Sequence, residues 1–305
     1  IPPGILRRMG KAIRMGVGAA MPILKSSNPV NGIIIGTAKG GMEDCIKFLN
    51  QIVQYEEGLL APGNFVQSTS NAIAAQLGLL SHNKSYNTTH VHRGLAFENA
   101  VIDSIMQLNE FPGTQYLLGG VDEISDFNYN IETLSGAYKK ESVSNEHLYD
   151  ADSPGSIPGE GAAMFLVNRQ KEKAIARLLA IKTLHTEDLG LVNTSLQQFI
   201  AAHLPPSKKI DLLLSGENGD TRTLKFYTGC EGLMDKHTAV IRFKHLCGDV
   251  PTSAAFGLWL ACYILQKGPI PAHMIKKPVT GSPYNNILLY NNYKRLQHSF
   301  MLVSG

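Results

Sequence analysis

The chain has no CxxC pair; its four cysteines, Cys45, Cys230, Cys247 and Cys262, stand apart, and none has histidines at zinc-site spacing. This excludes a disulfide scaffold and a structural zinc site, and it places the protein in a reducing, cytoplasmic setting. No run of like charge occurs either: 28 basic against 25 acidic residues leave a formal net charge of +3, so electrostatic capture of nucleic acid or of an anionic membrane is not called for. The longest apolar run, 254–265, contains Gly257 and falls short of the roughly 20 residues that span a bilayer. The first residues are Ile-Pro-Pro ahead of a helical stretch, and further residues are expected upstream. What is present is an ordered composition, 44% hydrophobic and 17% charged over 305 residues, enough for one large or two ordinary domains at roughly 150 residues each.

Apolar strand-like runs alternate with helical stretches. Gly32-Ile33-Ile34-Ile35-Gly36, Tyr116-Leu117-Leu118-Gly119-Gly120 and Asp211-Leu212-Leu213-Leu214-Ser215 are the clearest, and the rhythm predicts an α/β protein with covered sheets. Helical periodicity marks 70–80 and 96–108, while 252–266 is apolar nearly all round, as expected of a helix buried between layers. Residues 139–158 carry Ser, Asn, Asp and Pro without periodicity and read as a long surface excursion. A second break at Pro205-Pro206-Ser207 precedes a fresh strand. Two halves are expected, 1–168 and 169–305, sharing one core, with no short repeat between their sequences.

A collinear series of segments carries further information. Ile34-Ile35-Gly36-Thr37-Ala38-Lys39-Gly40-Gly41 is followed by Leu60-Ala61-Pro62-Gly63-Asn64-Phe65 with Asn71-Ala72-Ile73-Ala74, then by 88–94 before a helix. Leu118-Gly119-Gly120-Val121-Asp122-Glu123, Pro158-Gly159-Glu160-Gly161-Ala162-Ala163, 211–220, Lys244-His245-Leu246-Cys247-Gly248 and a last strand within 291–303 complete it. In this order the series resembles the β-ketoacyl synthases, condensing enzymes of fatty-acid and polyketide synthesis. The resemblance implies a thiolase-like five-layer α/β/α/β/α fold with two similar halves, a further strand upstream, and a dimer whose seam runs near 86–93. It also implies a mechanism without metal or cofactor. A cysteine at a helix N-terminus takes an acyl chain from a carrier protein, two histidines assist decarboxylation of a malonyl unit, and backbone amides hold the oxyanion.

Carried over residue by residue, that chemistry is missing. The cysteine stands about three residues before the glycine that opens the helix; counted from Gly94 this is Val91, or His90 with one residue of slippage, and 87–94 holds no thiol. The first histidine position falls on Ser215 or Gly216, and the second, after the surviving Lys244 to Gly248 pattern, falls on Asp249. An aspartate offers no imidazole N–H, and its charge opposes a developing enolate. Lys244 is retained and is expected to pair with Glu160 or another carboxylate. His245 and Cys247, two apart, do not share a helix face and read as core residues rather than a relocated dyad. Glu217-Asn218-Gly219-Asp220 reads as a turn with Asn-Gly at its tight point. The mobile gate loop of ketosynthases maps onto 291–299, where no glycine remains and Arg295 takes the gate position. This predicts a stiff plug with Arg295 paired to Asp249 or Glu217, and it makes His92 and Arg295 the substrate-binding candidates.

The sequence therefore reads as a catalytically degenerate ketosynthase-like subunit, similar in role to the chain length factors of type II polyketide and polyene pathways. Its expected partners are an active ketosynthase or a second copy, and an acyl carrier protein. Two rival readings remain: an acyltransferase using His90 or His92 with Asp249 or Glu98, and a module that binds a carrier protein or an acyl chain.

Overall fold

The structure is a computed structural model and describes residues 1–58, 60–278 and 284–305. The chain forms two compact units: Ile1–Glu132 with Gly159–Arg169 and Val250–Ala255, and Thr133–Pro158 with Gln170–Asp249 and Phe256–Gly305. The two expected halves thus exchange segments, 133–158 grouping with the second unit and 250–255 with the first.

The first unit runs α1 (Pro3–Leu6), α2 (Lys11–Ser26), β1 (Gly32–Gly36), α3 (Met42–Gln54), α4 (Pro62–Gln67), α5 (Ala72–Ser81), β2 (Tyr86–His90), α6 (Ala96–Glu110), β3 (Gln115–Asp122), most of α7 (Asp126–Leu134) and β4 (Gly161–Asn168). Its sheet has the order β2-β1-β3-β4, with β1 parallel to β2 and β3, and β4 antiparallel to β3. Isoleucines 33, 34 and 35 are all buried, as a central parallel strand covered on both faces requires. Alternation divides the labour. Ile33, Ile35, Leu117 and Val121 pack with Ile13 and Val17 of α2 and Ile73 and Leu77 of α5, while the opposite face meets α6. There a Cβ on Gly36 would lie 2.5 Å from the Ala96 carbonyl oxygen and the Phe97 Cα, so only a glycine lets β1 end against the first turn of that helix.

The second unit comprises β5 (Arg177–His185), α8 (Leu189–His203), β6 (Leu212–Ser215), α9 (Thr221–Gly232), β7 (Ala239–Arg242), α10 (Lys244–Cys247), α11 (Ser253–Lys267) from its second turn onward, β8 (Ile275–Lys277), β9 (Asn286–Tyr293) and β10 (Gln297–Ser304). The sheet order is β5-β10-β9-β6-β7-β8; β6 is parallel to β7 and β9, β10 is antiparallel to β9 and to β5, and β8 is antiparallel to β7. Val192, Leu196 and Phe199 of α8 and Phe226 and Tyr227 of α9 cover one face. The orders β2-β1-β3-β4 and β7-β6-β9-β10 are the same arrangement of three parallel strands and an antiparallel fourth. The two similar halves are therefore a repeat of topology without a repeat of sequence.

Three expectations need correction. The helix read at 252–266 exists, but Trp259 and Tyr263 are 45% and 41% exposed; they cover one another in a stacked row with Phe256, at centroid distances of 5.5 and 5.7 Å. The single last strand is a hairpin of β9 and β10. Lys294 and Arg295 both take positive φ, 52° and 66°, and the buried His298 ring pins the turn through the Tyr290 hydroxyl at 2.9 Å and the carbonyls of Thr186 and Arg295. The 139–158 excursion is also anchored: Leu148 and Ser156 are buried, and the Lys139 ammonium donates to Ser153 and to the Gly219 carbonyl.

Two glycine substitutions should move stability in opposite directions. Gly36→Ala forces a methyl into backbone and should cost about 1–3 kcal/mol. Gly18→Ala, on the exposed side of α2 with nothing within 4 Å of the new methyl, should gain about 0.5–1 kcal/mol. Urea midpoints of the two variants check both signs.

Candidate functional site

In the first unit the carboxyl-terminal ends of the parallel strands are closed by acids from the end of β3. Asp122 Oδ1 accepts from the Thr37 hydroxyl at 3.1 Å and the Ala38 N–H at 2.8 Å, fixing the turn after β1. Burial pushes its carboxyl up to about 6, outweighing those hydrogen bonds. Glu123 accepts from the Ala12 N–H at 2.9 Å and the Glu43 N–H at 3.2 Å. It thereby caps both α2 and α3, whose own N-cap residues, Gly10 and Gly41, have no side chain to do so. Glu160 binds Lys11 at 2.5 Å and the Ile124 N–H at 2.9 Å. It is thus not the partner of Lys244.

The position expected for the nucleophile lies where β2 turns into α6. Val91 is 51% exposed, Arg93 takes φ +49°, and a short 3-10 turn over Arg93–Leu95 leads into the helix. His90 Nε2 meets Asp103 at 2.8 Å, and the Tyr86 hydroxyl donates to the same carboxylate at 3.0 Å. His92 Nδ1 meets the Asn99 amide at 2.9 Å. The carboxylate beside His90 is therefore Asp103, an acid that sequence reasoning did not weigh. The pairing depends on the reversal between β2 and α6, which the spacing of 90 and 103 does not signal.

In the second unit, Ser215 ends β6 fully buried and Gly216 follows it. Glu217 is a buried carboxylate held by Arg242 at 3.1 Å and Lys276 at 2.5 Å. Asn218 donates to Asp249 Oδ2 at 2.9 Å, and its side-chain oxygen accepts from the Asp220 N–H and the Thr223 hydroxyl. Asp220 in turn caps α9 through the Arg222 N–H. The 217–220 segment is thus the turn expected, with Gly219 at φ +75°. Asp249 Oδ1 takes the Lys244 ammonium at 2.5 Å, and Lys244 is 1% exposed. Both oxygens of Asp249 are engaged.

His245 and Cys247 do not meet. The Cys247 thiol points at the Gly248 carbonyl, 3.3 Å away, and burial pushes it up to about 12. His245 faces the Tyr149 hydroxyl at 3.3 Å and His273 at 2.8 Å, and burial together with His273 and Arg242 pushes it down to about 4. Burial also raises the thiols of Cys262, to about 11, and of Cys230, so three of the four thiols are held as weak nucleophiles. Arg295 corrects the plug expectation: its guanidinium lies 3.9 Å from Glu187, both side chains about half exposed, while Asp249 and Glu217 are taken by Lys244, Arg242 and Lys276. Arg295 is exposed at the hairpin turn and is not paired with either of those acids.

The fold is the thiolase-like fold of the ketosynthases. The chain is similar to a β-ketoacyl synthase from Burkholderia phymatum, at TM-score 0.78 and 13% identity over 99% of this chain and 84% of that one. It is similar to the ishigamide ketosynthase/chain length factor, at 0.75 and 16% over 97% and 81%. It is also similar to a chain from a type II PKS acyl-carrier protein in complex with its ketosynthase bound to the hexaketide, at 0.72 and 16% over 100% and 86%. In sequence, residues 1–136 match the family described as Beta-ketoacyl synthase, N-terminal domain. Among curated proteins none matches the sequence. The likeness in sequence is confined to residues 1–136, whereas the likeness in fold extends over nearly the whole chain. Among the described residues no helix is long and apolar enough to cross a membrane.

Two measurements follow from these sites. Asp122 binds its proton more tightly folded, at about 6, than at its ordinary 3.8. Its stabilising contribution is therefore full below about pH 4 and is lost as pH rises through about 6, by about 3 kcal/mol. Asp122→Asn keeps an oxygen acceptor for the turn, and the stability difference between wild type and variant should change across pH 4–6 and be flat above. Asp249→Ala leaves a buried ammonium without its counter-charge and should cost about 3–5 kcal/mol in denaturant titration.

Proposed function

We propose that this chain is a catalytically silent ketosynthase-like subunit that works beside an active ketosynthase, in the manner of a chain length factor, in fatty-acid or polyketide synthesis of the polyene type. The observation that carries the reading is Asp249, the residue at the second histidine position, which is locked in a buried ion pair with Lys244 and hydrogen-bonded to Asn218. A carboxylate so engaged has no N–H to offer an enolate, and its charge opposes one. Val91 at the nucleophile position and Ser215 or Gly216 at the first histidine position supply no thiolate and no imidazole. The solved ketosynthase/chain length factor, and the ketosynthase in complex with its acyl-carrier protein, support both expected partners, a condensing subunit and a carrier protein. The active subunit is the favoured partner, with a homodimer in its absence, and the cytoplasm the compartment.

A second reading has one observation in its favour. His90 is oriented by Asp103 at 2.8 Å through Nε2, which leaves Nδ1 as the nitrogen that would accept an acyl group. An acyl-imidazole hydrolyses readily, so this arrangement would transfer a chain but store it poorly. In that reading His92, beside it, and Arg295 would contact the substrate.

Mass spectrometry after incubation with an acyl-carrier thioester and a malonyl donor separates the readings. Alone, the chain should gain no acyl mass and form no condensation product; mixed with its condensing partner, product should form with the acyl group on the partner. Val91→Cys should not restore condensation, because both imidazoles are still missing. An acyl adduct on His90 that turns over, and that Asp103→Asn weakens, would establish the transferase reading instead.

A further inference from the structure

The charge of +3 over the whole chain averages away a local excess. Residues 1–42 hold six bases, Arg7, Arg8, Lys11, Arg14, Lys25 and Lys39, and no acid; the first acid is Glu43. Two of the six are paired, Lys11 to Glu160 at 2.5 Å and Lys39 to Glu132 at 2.7 Å. The other four are exposed, and among the described residues none of them has an ion-pair partner. Asp44 of α3 feels the charge of Arg14 without binding it.

The fold arranges these bases. Helix α2 buries Ala12, Ile13, Gly16, Val17 and Ala20. Its exposed positions are Arg14, Gly18, Pro22, Lys25 and Ser26, and the first four follow at i, i+4, i+8 and i+11, one stripe of a helix of 3.6 residues per turn. Arg7 and Arg8 sit in the turn that joins the start of α2 to α1, a helix with no buried residue. Its Ile5 and Leu6 are each 41% exposed. A basic stripe is thus preceded by an exposed apolar tip. Between Arg14 and Lys25 the stripe carries only Gly18 and Pro22, whose side chains neither donate nor accept. It therefore lacks the directional hydrogen bonds, about one per 100–200 Å², that hold a protein partner in register. A bilayer asks for none of these. Mobile headgroup phosphates gather around guanidinium and ammonium groups, and apolar side chains flanked by bases sink into the boundary beneath them. Ile5 and Leu6 beside Arg7 and Arg8 make that combination, so a membrane contact that the whole-chain charge does not call for is called for locally.

We infer that the α1 turn and the outer stripe of α2 form a docking surface for an anionic lipid bilayer, with Arg7, Arg8, Arg14 and Lys25 on the headgroup phosphates and Ile5 and Leu6 inserted among them. This goes beyond the proposed function and does not depend on it. The test floats the full chain with vesicles of phosphatidylcholine, alone or mixed with phosphatidylglycerol. The chain should rise with the mixed vesicles at low salt, leave them at about 0.5 M salt, where surface charges are screened within a few ångströms, and ignore the zwitterionic ones. Arg7→Gln with Arg8→Gln should weaken binding roughly 30-fold, at about fivefold per base, and Arg14→Gln with Lys25→Gln by a similar factor. Ile5→Ser with Leu6→Ser should weaken it at least ~10-fold. All six side chains are exposed, so circular dichroism and melting should stay unchanged. Wild type that stays in solution beside the mixed vesicles, or binding that survives both glutamine pairs, overturns the inference. Binding to an acyl carrier protein, or self-association, that the glutamine pairs abolish while vesicles are ignored would assign the surface to a protein and overturn it as well.

Discussion

A lysine ammonium at 1% exposure cannot stand without a counter-charge, and in the second unit Lys244 imposes that demand on everything around it. Asp249 supplies the charge, and Asn218 occupies its remaining oxygen. Asn218 then spends its own oxygen on Asp220 and Thr223, which sets the turn after β6 and the start of α9. One buried charge thus fixes α10, the 215–220 turn and the first turn of a helix. Asp249 is therefore a structural residue of this chain, since removing its carboxylate would leave Lys244 unneutralised.

The first unit solves a similar problem with acids at the end of one strand. Asp122 holds the turn after β1 while Glu123 caps two helices that start at glycines. The two adjacent side chains point to opposite sides of an extended backbone, so one strand end can organise both the turn and the helices. Glycine at the helix starts is not a weakness in this setting. A side chain on Gly10 would occupy the place of the Asp44 carboxylate, and the cap arrives from β3 instead.

Local signals made a good part of this legible. The isoleucine run of β1 and the helices at 72–81 and 96–110 follow from burial and periodicity that a short window contains. The choice of partner for Lys244 was open because a lysine's need for a carboxylate is visible in sequence, whereas which carboxylate lies within 3 Å depends on the turn at Gly248. The 291–303 segment read as one strand because its turn lacks glycine; the positive φ of Lys294 and Arg295 is imposed by strand register and by His298, both long-range effects. Asp103 escaped notice for the same reason. Its pairing with His90 needs the reversal between β2 and α6, which no spacing rule states.

The repeat of topology shows that one arrangement of strands can be held in place by different groups. The two sheets share strand order and direction, yet the residues that enforce this are different in kind in the two units: Gly36 approaching α6 and the Asp122 and Glu123 caps in one, the Lys244–Asp249 pair and the His298 pin in the other. None of these groups in the first unit lies at 90 or 91, whereas in the second unit Asp249 is itself one of them. Val91 is half exposed, so a substitution there disturbs little of the fold. Asp249, by contrast, keeps a buried ammonium neutral and holds Asn218, so a change there reaches the turn after β6 and the start of α9.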